Sequence, residues 1–170
     1  MKRPDNTEHP EYFKKYIDLV KGDNVIKTLE NQVIAMQAFL SEIPEEKENY
    51  SYEKDKWTIK EVIGHIIDTE RIMSYRALRF ARGDKNELAG FEQEDYVKNA
   101  NFNERSLYSL VHEFGVLRES NITMFKSFNE NMLNNKGKAS GRETSVRALI
   151  FLIAGRQAHH LGVIERKYLN

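Results

Sequence analysis

The stretch AGRQAHHLGVIERKYL, Ala154 to Leu169, carries adjacent histidines, His159 and His160, with Arg156 four positions before the second. On a helix at about 100° per residue, with His160 at zero, Arg156 falls near −40°, Leu149 near −20°, Ile153 near +20° and Ile164 near +40°. Arg156 and His160 therefore share an apolar, inward face, and His159 lies about 100° away at its edge. In IKEVIGHIIDTE, His65 sits at the margin of a second apolar face, Glu70 lies within that face, and Asp68 lies on the margin beyond His65. Two imidazoles on two helices, with a third nitrogen or oxygen ligand and water, would make a Zn²⁺ or Ni²⁺ site. The spacing alone is a weak signal, because a lone histidine on an apolar face is more often satisfied inside a core than a ligand.

Arg156 is the sharper oddity, because an arginine keeps its proton and is almost never fully buried unpaired. The preferred reading is pairing with a carboxylate: Glu70, Asp68, or Glu61, which a capping box also claims. Next comes an anion receptor facing a pocket, and then a side chain that escapes toward the bundle end. In GRETSVR, Arg142 and Arg147 flank the start of the last helix, where a helix N-terminus and guanidinium groups can hold a carboxylate or phosphate. More often such charges are simply solvated. Arg71, Arg76, Arg79 and Arg82 are expected on an outer helix face or paired with acids, and His9 and His112 at the surface. No Ser-His-Asp arrangement or activated lysine stands out.

These residues need long helices to position them. Val25, Leu29, Val33, Met36, Phe39, Leu40 and Ile43 keep the three-and-four spacing of one apolar helix face, capped by Asp23 or Asn24 and stopped by Pro44. A second helix, Thr58 to Arg82, starts with a Thr58/Glu61 capping box, a Trp57/Val62 staple and ends at Gly83; it would span roughly 37 Å. A third runs from about Glu104 to Phe128 and a fourth from about Ser145 to Tyr168, with a short helix near Tyr12 to Val20. The polar connections GDKNELAGFEQEDYVKNANFN and NENMLNNKGKASGRET are long for a small bundle, so they are functional or cross between its ends. The pattern predicts an all-α four-helix bundle with crossover connections, one domain over residues 1–170.

Twenty-six basic residues balance 26 acidic ones, which gives no support to a nucleic-acid or membrane-surface partner. The chain has no cysteine, which rules out disulfides, thiolate zinc sites and a cysteine nucleophile and fits a reducing cytoplasm. Its N-terminus is too polar for a signal peptide, and no apolar run approaches a membrane span.

WTIKEVIGHIIDTERIMSYRALRFARGD, GFEQEDYV and SGRETSVRALIFLIAGRQAHHLGVIERKYL together resemble the DinB-like family, in its YfiT-like branch of metal-dependent hydrolases, from about Trp57 to Leu169. The resemblance implies a four-helix bundle, often a homodimer, built around a divalent metal held by three histidines. It also implies hydrolase or low-molecular-weight-thiol S-transferase activity, in which the metal lowers the pKa of a bound water or thiol. His65 matches the first ligand and His160 the third, while the second falls on Arg156, so GRQAHHL replaces a pattern like GHELHHL. A permanent cation cannot ligate a metal and repels it. The expectation is a degenerate centre with no cofactor, or with Zn or Ni only if Asp68, Glu70 or His159 supplies the missing ligand. A small polar or anionic ligand is the expected partner.

Overall fold

The computed structural model describes residues 1–22 and 24–169. Four long helices dominate it: α2 (Val25–Ser41), α3 (Ile59–Ala81), α5 (Leu107–Lys126) and α7 (Val146–Ile164), with a short helix α1 (Lys14–Ile17) before them and short helices α4 (Gln93–Lys98) and α6 (Glu130–Asn134) between them. Side-chain oxygens of Asn24, Thr58, Ser106 and Ser145 each accept a first-turn backbone N–H and so start the long helices. Asp23, the alternative cap of α2, lies outside the described residues. The capping box is complete: Thr58 N–H donates to Glu61 Oε2 at 2.7 Å, and Glu61 N–H to Thr58 Oγ1 at 3.2 Å. Gly83 ends α3 at φ +78°, a conformation that costs glycine nothing. Beyond α7 the chain winds one wider π-helical turn, Glu165–Leu169, and buries Tyr168.

Each long helix packs mainly on two neighbours: α3 on α7 and α5, and α2 on α5 and α7. Around the bundle the order is therefore α2, α5, α3, α7. Consecutive helices α2 and α3 lie diagonally, as do α5 and α7, so the connections 42–58 and 127–145 cross the bundle. The long polar segment after α3 joins neighbours instead. It carries α4, and it pairs with a β-hairpin, β1 (Lys136–Ala139) and β2 (Arg142–Ser145), that the helical periodicity did not predict. Ser140 and Gly141, both at positive φ, turn the hairpin.

The core has two apolar compartments. One gathers Leu29, Met73, Phe80, Phe125, Leu149 and Ile153, and the other Met36, Ile63, Ile67, Leu110, Phe114 and Ile164. Between them each long helix contributes a polar residue: Gln32, Glu70, Arg118 and Gln157. Arg118, fully buried, spends its whole guanidinium there: Nε and Nη2 on Glu70 at 2.7 Å each, Nη2 also on Gln157 Oε1 at 2.8 Å, and Nη1 on Gln32 Oε1 at 3.1 Å and Leu29 O at 3.4 Å. Asn121 donates to Glu70 Oε1 at 3.0 Å. Burying this pair is tolerable because almost every donor and lone pair is used.

Candidate functional site

Helices α3 and α7 bring His65, Arg156 and His160 together at the level of this polar layer. Close approach is built into the local sequence. A Cβ on Gly155 would sit 2.0 Å from the Tyr16 carbonyl oxygen, so only glycine lets α1 lie on α7 beside Arg156. The Arg156 guanidinium consequently stands over the Tyr16 ring, 5.3 Å from its centroid. On α3, Gly64 leaves the space that the Phe102 ring fills, and the Trp57 ring packs on His65 at 4.7 Å.

Arg156 Nη2 donates to His65 Nε2 at 2.9 Å. The contact needs a neutral imidazole with its lone pair on Nε2, and the surroundings enforce neutrality. Burial, then the Arg156 charge, pushes His65 down to about 3. His160 stacks edge-on against His65 at 4.9 Å, and burial, then His65, Arg156 and His159, pushes it down to about 2. His159, edge-on to Tyr16 and to His160, is lowered by burial first and by Lys15, Arg156 and Arg166. Of the three buried side-chain atoms without a hydrogen bond among the described residues, two lie here, Arg156 Nε and His160 Nε2; the third is Arg147 Nε.

The preferred pairing of Arg156 with a carboxylate is not what forms. Glu70 is taken by Arg118, and Glu61 by the helix cap and Asn103. Asp68, half-buried, faces the other way: burial and then the Glu113 charge raise its pKa against the pull of Arg71 and Arg105. Arg147 is no anion site either. It is 4% exposed and tied to Glu130 at 3.1 Å and Glu8 at 3.6 Å, joining the N-terminal segment to the start of α7. His9 is buried, with Nδ1 2.9 Å from Pro10 O, whereas His112 is exposed as expected.

Two cavities flank the Arg156–His160 pair. One of about 350 Å³ is lined by Arg76, Phe80, Phe91, Arg142 and Arg156 among others, and one of about 270 Å³ by Trp57, His159, His160 and Tyr168. Gln93 and Glu94 of α4 line both. Of the predicted pocket residues, Arg142 and Arg156 reach the larger cavity; Glu70, Asp68 and Arg147 do not. Arg76 and Arg118, expected outside or unremarked, prove to be central. Their signal was present: Met73, Arg76 and Phe80 keep inward helical spacing, as do Phe114, Arg118 and Ile122.

A DinB superfamily model matches residues 29–164, most of the chain and all four long helices save the first turn of α2. The chain belongs to the DinB superfamily. Its fold is similar to that of YfiT from Bacillus subtilis, described as "a probable metal-dependent hydrolase with an unusual four-helix bundle topology", with a TM-score of 0.75 over 95% of this chain and 89% of that one. Identity is 11%, so the likeness concerns the fold. No curated protein matches the sequence at a significant level.

The residues present in this DinB domain do not fit the metal of metal-dependent relatives. The Arg156 guanidinium, which has no lone pair to offer a metal, holds His65 Nε2, a lone pair that a metal would need. Among the described residues no three histidine, aspartate or glutamate side chains are placed to hold a metal ion. The gap lined by Glu70, Arg156 and His160 measures only about 10 Å³.

Proposed function

We propose that this chain is a metal-free DinB protein, in which Arg156 has taken the place of the metal and the scaffold serves to bind a small polar or anionic molecule. The observation that carries the reading is the 2.9 Å hydrogen bond from Arg156 to His65 Nε2. It satisfies the imidazole that metal binding would require and puts a fixed positive charge where a second cation would have to enter. Neither hydrolysis nor thiol transfer through a metal-bound nucleophile is supported by such a centre.

Elemental analysis of untagged protein after incubation with excess Zn²⁺ tests the reading. The expected result is no stoichiometric metal in the wild type and clear binding in Arg156→His, which restores a three-histidine set. Stoichiometric zinc or nickel that is lost in His65→Ala would overturn it. A second reading, a metalloenzyme with a substitute ligand, draws on one observation: His160 Nε2 has no partner. The same measurement decides between the two.

A further inference from the structure

We infer that the cavity beside Arg156 is a receptor for an amphipathic organic anion, a carboxylate or phosphate monoester on an apolar body, gripped by Arg76, Arg142 and Arg156. The inference rests on the metal-free reading in one respect: Arg156 must stand in this position as a cation.

Arg118 and Arg147, the other buried arginines, are each matched by carboxylates. The three arginines of the cavity have no such match among the described residues, although unpaired charge is costly where it is buried, as at Arg76. Arg76, 7% exposed, donates only to neutral groups, Ala89 O at 2.9 Å and Ser140 Oγ at 3.4 Å, besides the Met73 sulfur. Among the described residues Arg156 donates only to His65, and its buried Nε has no partner. Arg142, exposed at the mouth, stands over the Tyr12 ring at 5.0 Å. Glu92 and Glu94 also line the cavity and reduce its formal charge, but both are exposed to solvent and screened, and Glu94 accepts from Trp57 Nε1 at 3.1 Å. Two sheltered guanidinium groups and one at the rim therefore meet no carboxylate partner among the described residues. A planar guanidinium fork matches carboxylate and phosphate oxygens, which gives the head group its chemistry.

The rest of the cavity defines the body. Phe13, Met73, Phe80, Phe91 and Leu149 supply apolar wall, and about 350 Å³ suits a small ligand. Its mouth is pre-organised. Leu88 N–H donates to Lys138 O at 2.9 Å, Ser140 N–H to Leu88 O at 3.1 Å, and Gly141 N–H to Glu87 Oε1 at 3.0 Å. These bonds fasten the segment after α3 to the hairpin, so that Arg76 from one side and Arg142 from the other converge on the same space.

Calorimetric titration of the full chain with naphthoate, naphthyl phosphate, neutral naphthalene methanol and inorganic phosphate tests the inference. At least one organic anion should bind, more tightly than inorganic phosphate, and the neutral analogue should be about tenfold weaker or worse, as loss of a charge-assisted hydrogen bond dictates. The better of the two anions identifies the head group. Arg142→Gln, at an exposed position, should weaken that binding several-fold with its melting temperature unchanged, and Arg76→Gln should weaken it further if it folds. Equal binding of the neutral analogue, wild-type affinity in Arg142→Gln, or no binding of either organic anion at millimolar concentration would overturn it. Metal content of the same sample separates the two failures. Anion binding lost in a metal-free protein refutes the receptor alone; stoichiometric metal refutes the metal-free reading, whatever the anions do.

Discussion

Arg156 and His65 form a pair in which each side chain sets the state of the other. The guanidinium requires a neutral acceptor, and its charge helps to keep the imidazole neutral. The folded pKa of His65, about 3, lies below the ordinary 6.5, and His160 at about 2 lies lower still. Unfolded chain therefore binds more protons than folded chain once the pH falls below 6.5. Stability from these two residues is complete above that pH, declines steadily on acidification, and levels off only below the folded values. Denaturant titrations from neutral to acidic pH should show this loss, and it should shrink in His160→Asn. Imidazole NMR signals of His65 and His160 should not move across the ordinary histidine range; a midpoint near 6.5 for His65 would contradict the Arg156 contact. The histidines themselves were legible in the sequence, because helical spacing sets the face a residue occupies. The partner of Arg156 was not: Glu70 was the nearest acid by pattern, and whether Arg118 or Arg156 reaches it depends on how four helices are arranged.

At the scale of elements, Gly155 governs how α1 meets α7. It permits α1 to press its backbone on α7, which places Tyr16 over Arg156. Helix propensity alone predicts that Gly155→Ala would stabilise α7 by about 1 kcal/mol. The 2.0 Å approach to the Tyr16 carbonyl predicts the opposite sign, a loss of about 1–3 kcal/mol as α1 is forced outward. Thermal denaturation gives the sign directly, and a stabilised variant would show that α1 does not dock here. The long helices and the Thr58 and Asn24 caps were legible, since these act through backbone groups within their own first turn, whereas the caps Ser106 and Ser145 were not singled out. The hairpin was not, although Ser140–Gly141 suits a tight turn. KGKASGRETS lacks a strong apolar alternation, and its strands are held partly by Leu88, a residue far away in the chain.

Across the whole molecule, the Glu70–Arg118 layer ties the relative height of all four long helices, because Arg118 joins Glu70, Gln32 and Gln157 while Gln32 and Gln157 bond across to backbone carbonyls of α7 and α2. Glu70→Ala would leave Arg118 charged and unpaired at zero exposure, and is expected to cost about 3–5 kcal/mol in chemical denaturation. Replacing both partners by apolar residues, Glu70→Leu with Arg118→Met, should recover much of that loss. A loss below about 1 kcal/mol in the single variant would mean that the pair is not buried as described.

The sequence by itself determined the long helices, the inward placement of Arg156 and His160, the marginal placement of His65, and that the side chain at position 156 has no lone pair to offer a metal. These follow from local periodicity and from the chemistry of a guanidinium. Tertiary structure alone decided which charges meet. Arg118 took Glu70, Arg147 joined Glu8 and Glu130, and Arg76, Arg142 and Arg156 were left facing one cavity. Ion pairing depends on distances between segments remote in the chain, and those are set by the crossing connections and the close contact at Gly155 rather than by any residue's own neighbours.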